Sequence, residues 1–164
     1  MTELLLRTIH GSHLYGLAHE GSDRDWYAVH GEKITQSRQD IIDNEDTVTV
    51  SYDRFLRLCE KGVPQALEAM FSRKALVDTI PFIRASFVAT GPVVRSTYER
   101  TIKNFWAHGD SKRRRHALRL TVNYASIVEM GRFNPALTLG EIEVVNTFCD
   151  DADGLEIVRR MYGV

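Results

Sequence analysis

Gly11-Ser12-His13-Leu14-Tyr15-Gly16, followed by Ser22-Asp23-Arg24-Asp25-Trp26, brings together residue types that can hold a phosphate and a divalent cation. Upstream, Leu4 to Ile9 reads as a short buried strand that ends at the Gly-Ser turn. A helix beginning at His13 would take Ser12 as its N-cap, and its first free backbone N–H groups would suit an anion. Asp23 and Asp25 are two residues apart, so on an extended segment both carboxylates leave the same face and Arg24 points away. Two such charges repel unless a cation lies between them. A few carboxylates with open positions suit Mg²⁺, which completes its shell with water and substrate phosphate. An anion cradle beside such a pair implies a nucleoside triphosphate. The same spacing also describes a tight turn with a solvated acidic loop.

The elements that must position these residues change character along the chain. Strands are expected at Leu4–Ile9, Asp25–His30 and Thr47–Ser51, with a polar connection from Gly31 to Asn44 and a short strand near Lys33–Gln36. From Tyr52 the period becomes helical. Gly62-Val63-Pro64 stops one helix and opens another carrying Ala66, Leu67, Met70 and Phe71. Beyond a connection at 72–79, helices are expected over 81–89, 92–107, 111–131, 138–148 and 151–162, with Pro81 and Pro92 at helix starts. The expected fold class is therefore α+β, with a small α/β core over 1–75 and a helical half over 76–164 packed against it.

Bulk properties narrow the field. A chain of 164 residues with 43% hydrophobic and 26% charged residues is an ordinary globular composition. A net charge of −1 argues against gripping nucleic acid through overall charge, though not against a local basic patch. Cys59 and Cys149 follow no ligand or disulfide spacing, which fits a reducing, cytoplasmic setting. No apolar run approaches the ~20 residues of a membrane span. His10, His13 and His19 fit no helical pair, and no second cluster completes a zinc site.

Lys112-Arg113-Arg114-Arg115-His116-Ala117-Leu118-Arg119 is a dense positive run. On a helix, Lys112, Arg115, His116 and Arg119 share a stripe that could meet phosphate oxygens or serve as a solvated face. Trp26 and Tyr27, directly after the acids, and Trp106, late in a helix near Phe105, could stack on a base, but such rings more often fill cores and carry no base recognition by themselves.

Together these features resemble the nucleotidyltransferases of the DNA polymerase β superfamily, with a Gly-Ser turn, an Asp-x-Asp strand and a third acid on a neighbouring strand. The resemblance is to a small bacterial and phage branch of predicted nucleotidyltransferases. Gly11, Ser12, Tyr15, Gly16, Ser22, Asp23 and Asp25 match its Gly-Ser-x-x-Tyr-Gly and Ser-Asp-x-Asp patterns. Val63-Pro64 to Glu68 resembles its Asn-Pro-x-x-x-Glu segment, with Val63 in the Asn position. Lys112, His116 and Arg119 match its Lys-x-x-x-His-x-x-Arg helix. Similarity spans about residues 8–131, and the tail is not diagnostic.

The resemblance implies a small mixed β-sheet, palm-like nucleotidyltransferase core with flanking helices, followed by an α-helical C-terminal half. It implies metal-dependent transfer of an NMP or dNMP from an NTP to an acceptor hydroxyl. Asp23, Asp25 and a third acid would hold Mg²⁺ or Mn²⁺. Asp46 is the best-placed third acid because it shares parity with Val48 and Val50; Glu45 and Asp53 compete. Gly11, Ser12, Tyr15, Lys112, His116 and Arg119 would bind the nucleotide, and Glu68 would form an ion pair with the basic helix. The acceptor would be a nucleic acid (tRNA or DNA) or a protein, with no membrane partner. Two alternatives stay open: a catalytically inactive nucleotide- or nucleic-acid-binding module, and an antitoxin-like enzyme that modifies a protein.

Overall fold

In the computed structural model, residues 3–32, 38–42 and 45–164 are described, and they form five strands and eight helices. The strands are β1 (Leu4–His10), β2 (Arg24–His30), β3 (Arg38–Ile42), β4 (Glu45–Ser51) and β5 (Ala75–Asp78). The helices are α1 (Gly11–Tyr15), α2 (Tyr52–Glu60), α3 (Pro64–Phe71), α4 (Pro81–Ser86), α5 (Pro92–Ala107), α6 (Ser111–Met130), α7 (Leu139–Phe148) and α8 (Gly154–Tyr162). The expected strand near Lys33–Gln36 lies outside the described residues.

The strands form one mixed sheet in the order β3-β4-β2-β1-β5. β2 runs parallel to β4, and the other pairs are antiparallel. Side chains opposite one another in register share a face. On one face the sheet therefore carries three cross-strand rows: Leu6, Val29 and Val50; Thr8, Tyr27 and Val48; and His10, Asp25 and Asp46. Two rows are mostly apolar and meet the core. The third, at the end of β1 and the starts of β2 and β4, is fully titratable.

One hydrophobic core joins this face to the helices. Leu6, Tyr27, Val29 and Val50 pack with Phe55, Leu67 and Met70 of α2 and α3, and with Tyr98, Ile102 and Leu120 of α5 and α6. A second cluster, including Leu118, Val122, Val145, Cys149 and Val158, ties α6 to α7 and α8. The fold is thus α+β, a small mixed sheet with flanking helices and a helical C-terminal half.

Several local details differ from expectation. β5 falls in the segment expected to be a connection; three of its four residues, Ala75, Val77 and Asp78, pair with β1. Such a short strand is decided by its partner more than by its own pattern. α4 ends at Ser86 because the Arg132 guanidinium donates to the carbonyls of Arg84, Ala85 and Phe87, satisfying its last turn. α8 starts at Gly154, after a turn in which the Gly154 N–H donates to the Asp151 carbonyl.

The α2–α3 junction is held close to α5. Gly62 has φ +71°, and a Cβ placed there would stand 2.7 Å from the Val94 Cα. Gly62→Ala would combine left-handed strain with a backbone clash that α5 can relieve only by moving. Urea unfolding is expected to show a loss of about 1–3 kcal/mol for this variant.

Candidate functional site

A cleft of about 720 Å³ opens over the titratable end of the sheet, between the sheet, the α2–α3 junction and the α5–α6 pair. His10, Gly11, Asp25 and Asp46 line its polar end. The parallel register sets Asp46 directly beside Asp25, and the antiparallel register sets His10 on the other side of Asp25. Gly11 turns with φ +64°, and any Cβ there would overlap the Asp25 carboxylate. The glycine is therefore required both by its backbone and by the packing of the acid.

The two carboxylates differ in environment. Asp46 Oδ2 accepts a hydrogen bond from Gln39 Nε2 at 2.5 Å, whereas its Oδ1 is buried without a partner. Asp25 is half-buried, and its pKa is raised, first by loss of solvent and then by the charges of Asp46 and Asp23. A buried, unpartnered oxygen beside a carboxylate that resists ionisation fits a bound cation. Two carboxylates plus phosphate oxygens and water meet the usual needs of Mg²⁺. Asp23 precedes β2, is exposed and does not line the cleft. Among the described residues, no three His, Cys, Asp or Glu side chains are gathered at metal-ligand spacing. Of the other acids, Glu45 pairs across the sheet with Arg24 and lies 3.8 Å from Arg7, while Asp53 is exposed in the first turn of α2.

The Gly-Ser turn is built differently from the expected cap. α1 begins at Gly11 with His10 as its N-cap residue, so Ser12 lies inside the helix. The Ser12 carbonyl accepts from the N–H groups of Gly16 and Leu17, closing the turn. The reason is the left-handed backbone at Gly11, which turns the chain as soon as β1 ends.

Behind the carboxylates lies a buried polar cluster. Glu68 accepts hydrogen bonds from Arg119 Nη1 and from the Tyr15 hydroxyl, each at 2.6 Å, and His10 Nδ1 lies 3.6 Å away. The Arg119 guanidinium also lies over the Tyr15 ring, 3.6 Å from its centroid. Burial alone would raise the Glu68 pKa, but Arg119, then His10 and the Tyr15 hydroxyl, reverse this and hold it below the usual carboxylate range. The expected ion pair between Glu68 and the basic helix is present. Arg119 and Tyr15 reach the cleft wall, yet Arg119 Nη1 and the Tyr15 hydroxyl are bonded to Glu68, and Arg119 Nε is buried without a partner.

Lys112 and His116 also diverge along the expected stripe. Lys112 is exposed and outside the cleft lining. His116 lines the cleft, but burial, then the nearby Arg119 and Lys112 charges, push its pKa down to about 4. Its ring is neutral at pH 7, so it meets the cleft without the positive charge a phosphate would select.

The site includes two groups that sequence reasoning missed or undervalued. In the sequence His10 groups with His13 and His19, although its place before the Gly-Ser turn puts it on the inward parity of β1. His13 and His19 instead make ring hydrogen bonds to the carbonyls of Ser22 and Glu20. Gln39 carried no signal of its own; only the antiparallel β3–β4 pairing brings it to Asp46.

Two outcomes follow from these electrostatics. Glu68→Leu or Arg119→Met alone leaves a buried charge unpaired, and chemical denaturation should register a loss of about 3–5 kcal/mol. The double variant should recover much of that loss. For Asp25, folding takes up a proton between the ordinary carboxyl pKa and the raised folded value. The charged carboxylate therefore lowers stability as pH rises through that window, and the deficit persists above it. Asp25→Asn should raise the Tm of the metal-free protein at pH 7, with the gain vanishing below about pH 3.

No protein-family model matches the chain, and no curated protein matches it. Among solved structures, the chain is similar to a nucleotidyltransferase-like protein from Exiguobacterium sibiricum 255-15, at 10% sequence identity and a TM-score of 0.40. The match covers 97% of this chain and 61% of that one, so the chain spans about three-fifths of the length of that structure.

Proposed function

We propose that this chain is a metal-dependent nucleotidyltransferase of the EC 2.7.7 type. The observation that carries the reading is the placement of Asp25 and Asp46 side by side on β2 and β4, against the Gly11 turn, with Asp46 Oδ1 buried and unpartnered. Asp25 and Asp46 would hold Mg²⁺ or Mn²⁺, with Asp23 contributing from the segment before β2. When bound, such a cation neutralises charge on a triphosphate and favours deprotonation of an attacking hydroxyl.

The transfer joins the acceptor oxygen to the α-phosphorus of an NTP. The bond from that phosphorus to the bridging oxygen breaks, pyrophosphate leaves and the hydroxyl proton is released. Gly11 lets the turn pack directly against the Asp25 carboxylate, beside which the triphosphate would lie. The neutral His10 ring separates Asp25 from Glu68, so the acids at the cleft mouth and the ion pair behind them remain distinct. Lys112, exposed at the start of α6, would contribute positive charge outside the cleft rather than a direct contact.

A binding module without catalysis is the second reading, favoured by the hydrogen bond that engages Asp46 through Gln39. An active third acid would separate the two, and the register of Asp46 with Asp25 favours transfer. Among the described residues, no helix is long and apolar enough to cross a membrane.

Incubation with Mg²⁺ or Mn²⁺, each α-labelled NTP, and total RNA, DNA and protein should place label on one acceptor class. Asp25→Asn and Asp46→Asn should each reduce transfer by about 100-fold or more while remaining folded. NTP binding without labelled product would favour the binding module, and label on protein would identify a protein-modifying enzyme.

A further inference from the structure

The cleft is continuous but chemically divided. Its polar end is the His10, Asp25 and Asp46 row; away from it the walls become apolar through Val48, Val50, Leu58, Val63, Phe105 and Leu120. A ligand that fills both ends must be strongly charged at one end and largely apolar at the other. An NTP has this division, with its triphosphate at one end and a flat base at the other.

The α5–α6 wall presents rings at the apolar end. Phe105 is half-buried, and its ring centroid lies 5.8 Å from that of His116, with the planes inclined by 35°. Tyr15 also meets the His116 ring edge-on, at 6.3 Å between centroids. His116 sits in a helix that the sequence marked for phosphate, but its neutral ring and the commitment of Arg119 to Glu68 leave this wall without a free cation. Such a surface suits stacking, because every base has a flat π-face.

On the α3 side of the cleft lining, Gln65 follows Pro64 at the helix start. Its side chain is exposed at the cleft, and among the described residues its carboxamide makes no hydrogen bond. A carboxamide both donates and accepts, so it can pair with the edge of a base. The Thr101 hydroxyl, also on the lining, donates to the Thr97 carbonyl at 2.8 Å and keeps its own lone pairs available.

From this arrangement we infer that the apolar end of the cleft is a nucleobase subsite, with Phe105 and His116 as the stacking wall and Gln65 reading the base edge. The inference rests on the nucleotidyl-transfer reading and adds the residues that select the nucleotide. Phe105 and His116 provide affinity shared by all bases, whereas Gln65 distinguishes among them.

Calorimetric titration of the full chain in Mg²⁺, with each of the four NTPs and with inorganic tripolyphosphate, tests the inference. At least one NTP should bind about tenfold or more tightly than tripolyphosphate. Phe105→Leu, which keeps an apolar side chain but removes the ring, should erase that advantage and leave tripolyphosphate binding unchanged. Gln65→Ala should narrow the spread among the four NTPs. Equal binding of NTPs and tripolyphosphate by the wild type, or an unchanged NTP advantage in Phe105→Leu, overturns the subsite and leaves the transfer reading standing. An unchanged spread in Gln65→Ala overturns the role of Gln65. Failure of all five ligands to bind overturns both the subsite and the transfer reading.

Discussion

The buried pair between Glu68 and Arg119 is the constraint on which the rest of the site depends. It joins α3 to α6 across the core, and the same carboxylate holds the Tyr15 hydroxyl on α1. Two ions removed from water are costly, and the cost is offset by their direct hydrogen bond and by the Tyr15 hydroxyl on the same carboxylate. Three segments distant in sequence must therefore meet in one geometry. That geometry brings the α5–α6 wall over the end of the sheet and encloses the cleft.

A different logic governs the front of the cleft. His10, Asp25 and Asp46 occupy one lateral row because β1, β2 and β4 are in register, and the rows behind them belong to the core. A shift of one residue in β4 would send Asp46 to the opposite face and bring Thr47 into the row. Whereas Glu68 is well satisfied, Asp25 and Asp46 are held close together, half-desolvated and incompletely partnered. The polar network behind stabilises the frame, and the carboxylates in front are left less completely paired.

Much of the site was legible before the chain was folded. The Gly-Ser turn, the strand before it, the parity of Asp46 with Val48 and Val50, and the link from Glu68 to the basic helix all follow from local pattern or motif spacing. The roles within that basic helix were less legible. Lys112, His116 and Arg119 share a stripe by helical geometry, but a stripe does not say which member is buried, neutral or already paired. Burial moved His116 towards the neutral form and turned Arg119 inward to Glu68. Ser12 misled for a related reason: side-chain preference suggested a cap, whereas the left-handed Gly11 started the helix two residues earlier.

The sequence by itself determined the alternation of its strands, the helical half and which acids and basic groups are candidates for a site, because these depend on periods of two to four residues and on side-chain chemistry. Only the tertiary structure decided which acids are neighbours, which basic groups are paired or neutral and where the apolar wall stands. Those properties depend on strand register and burial, which arise when residues such as Asp25 and Asp46, or Glu68 and Arg119, are brought together from distant parts of the chain.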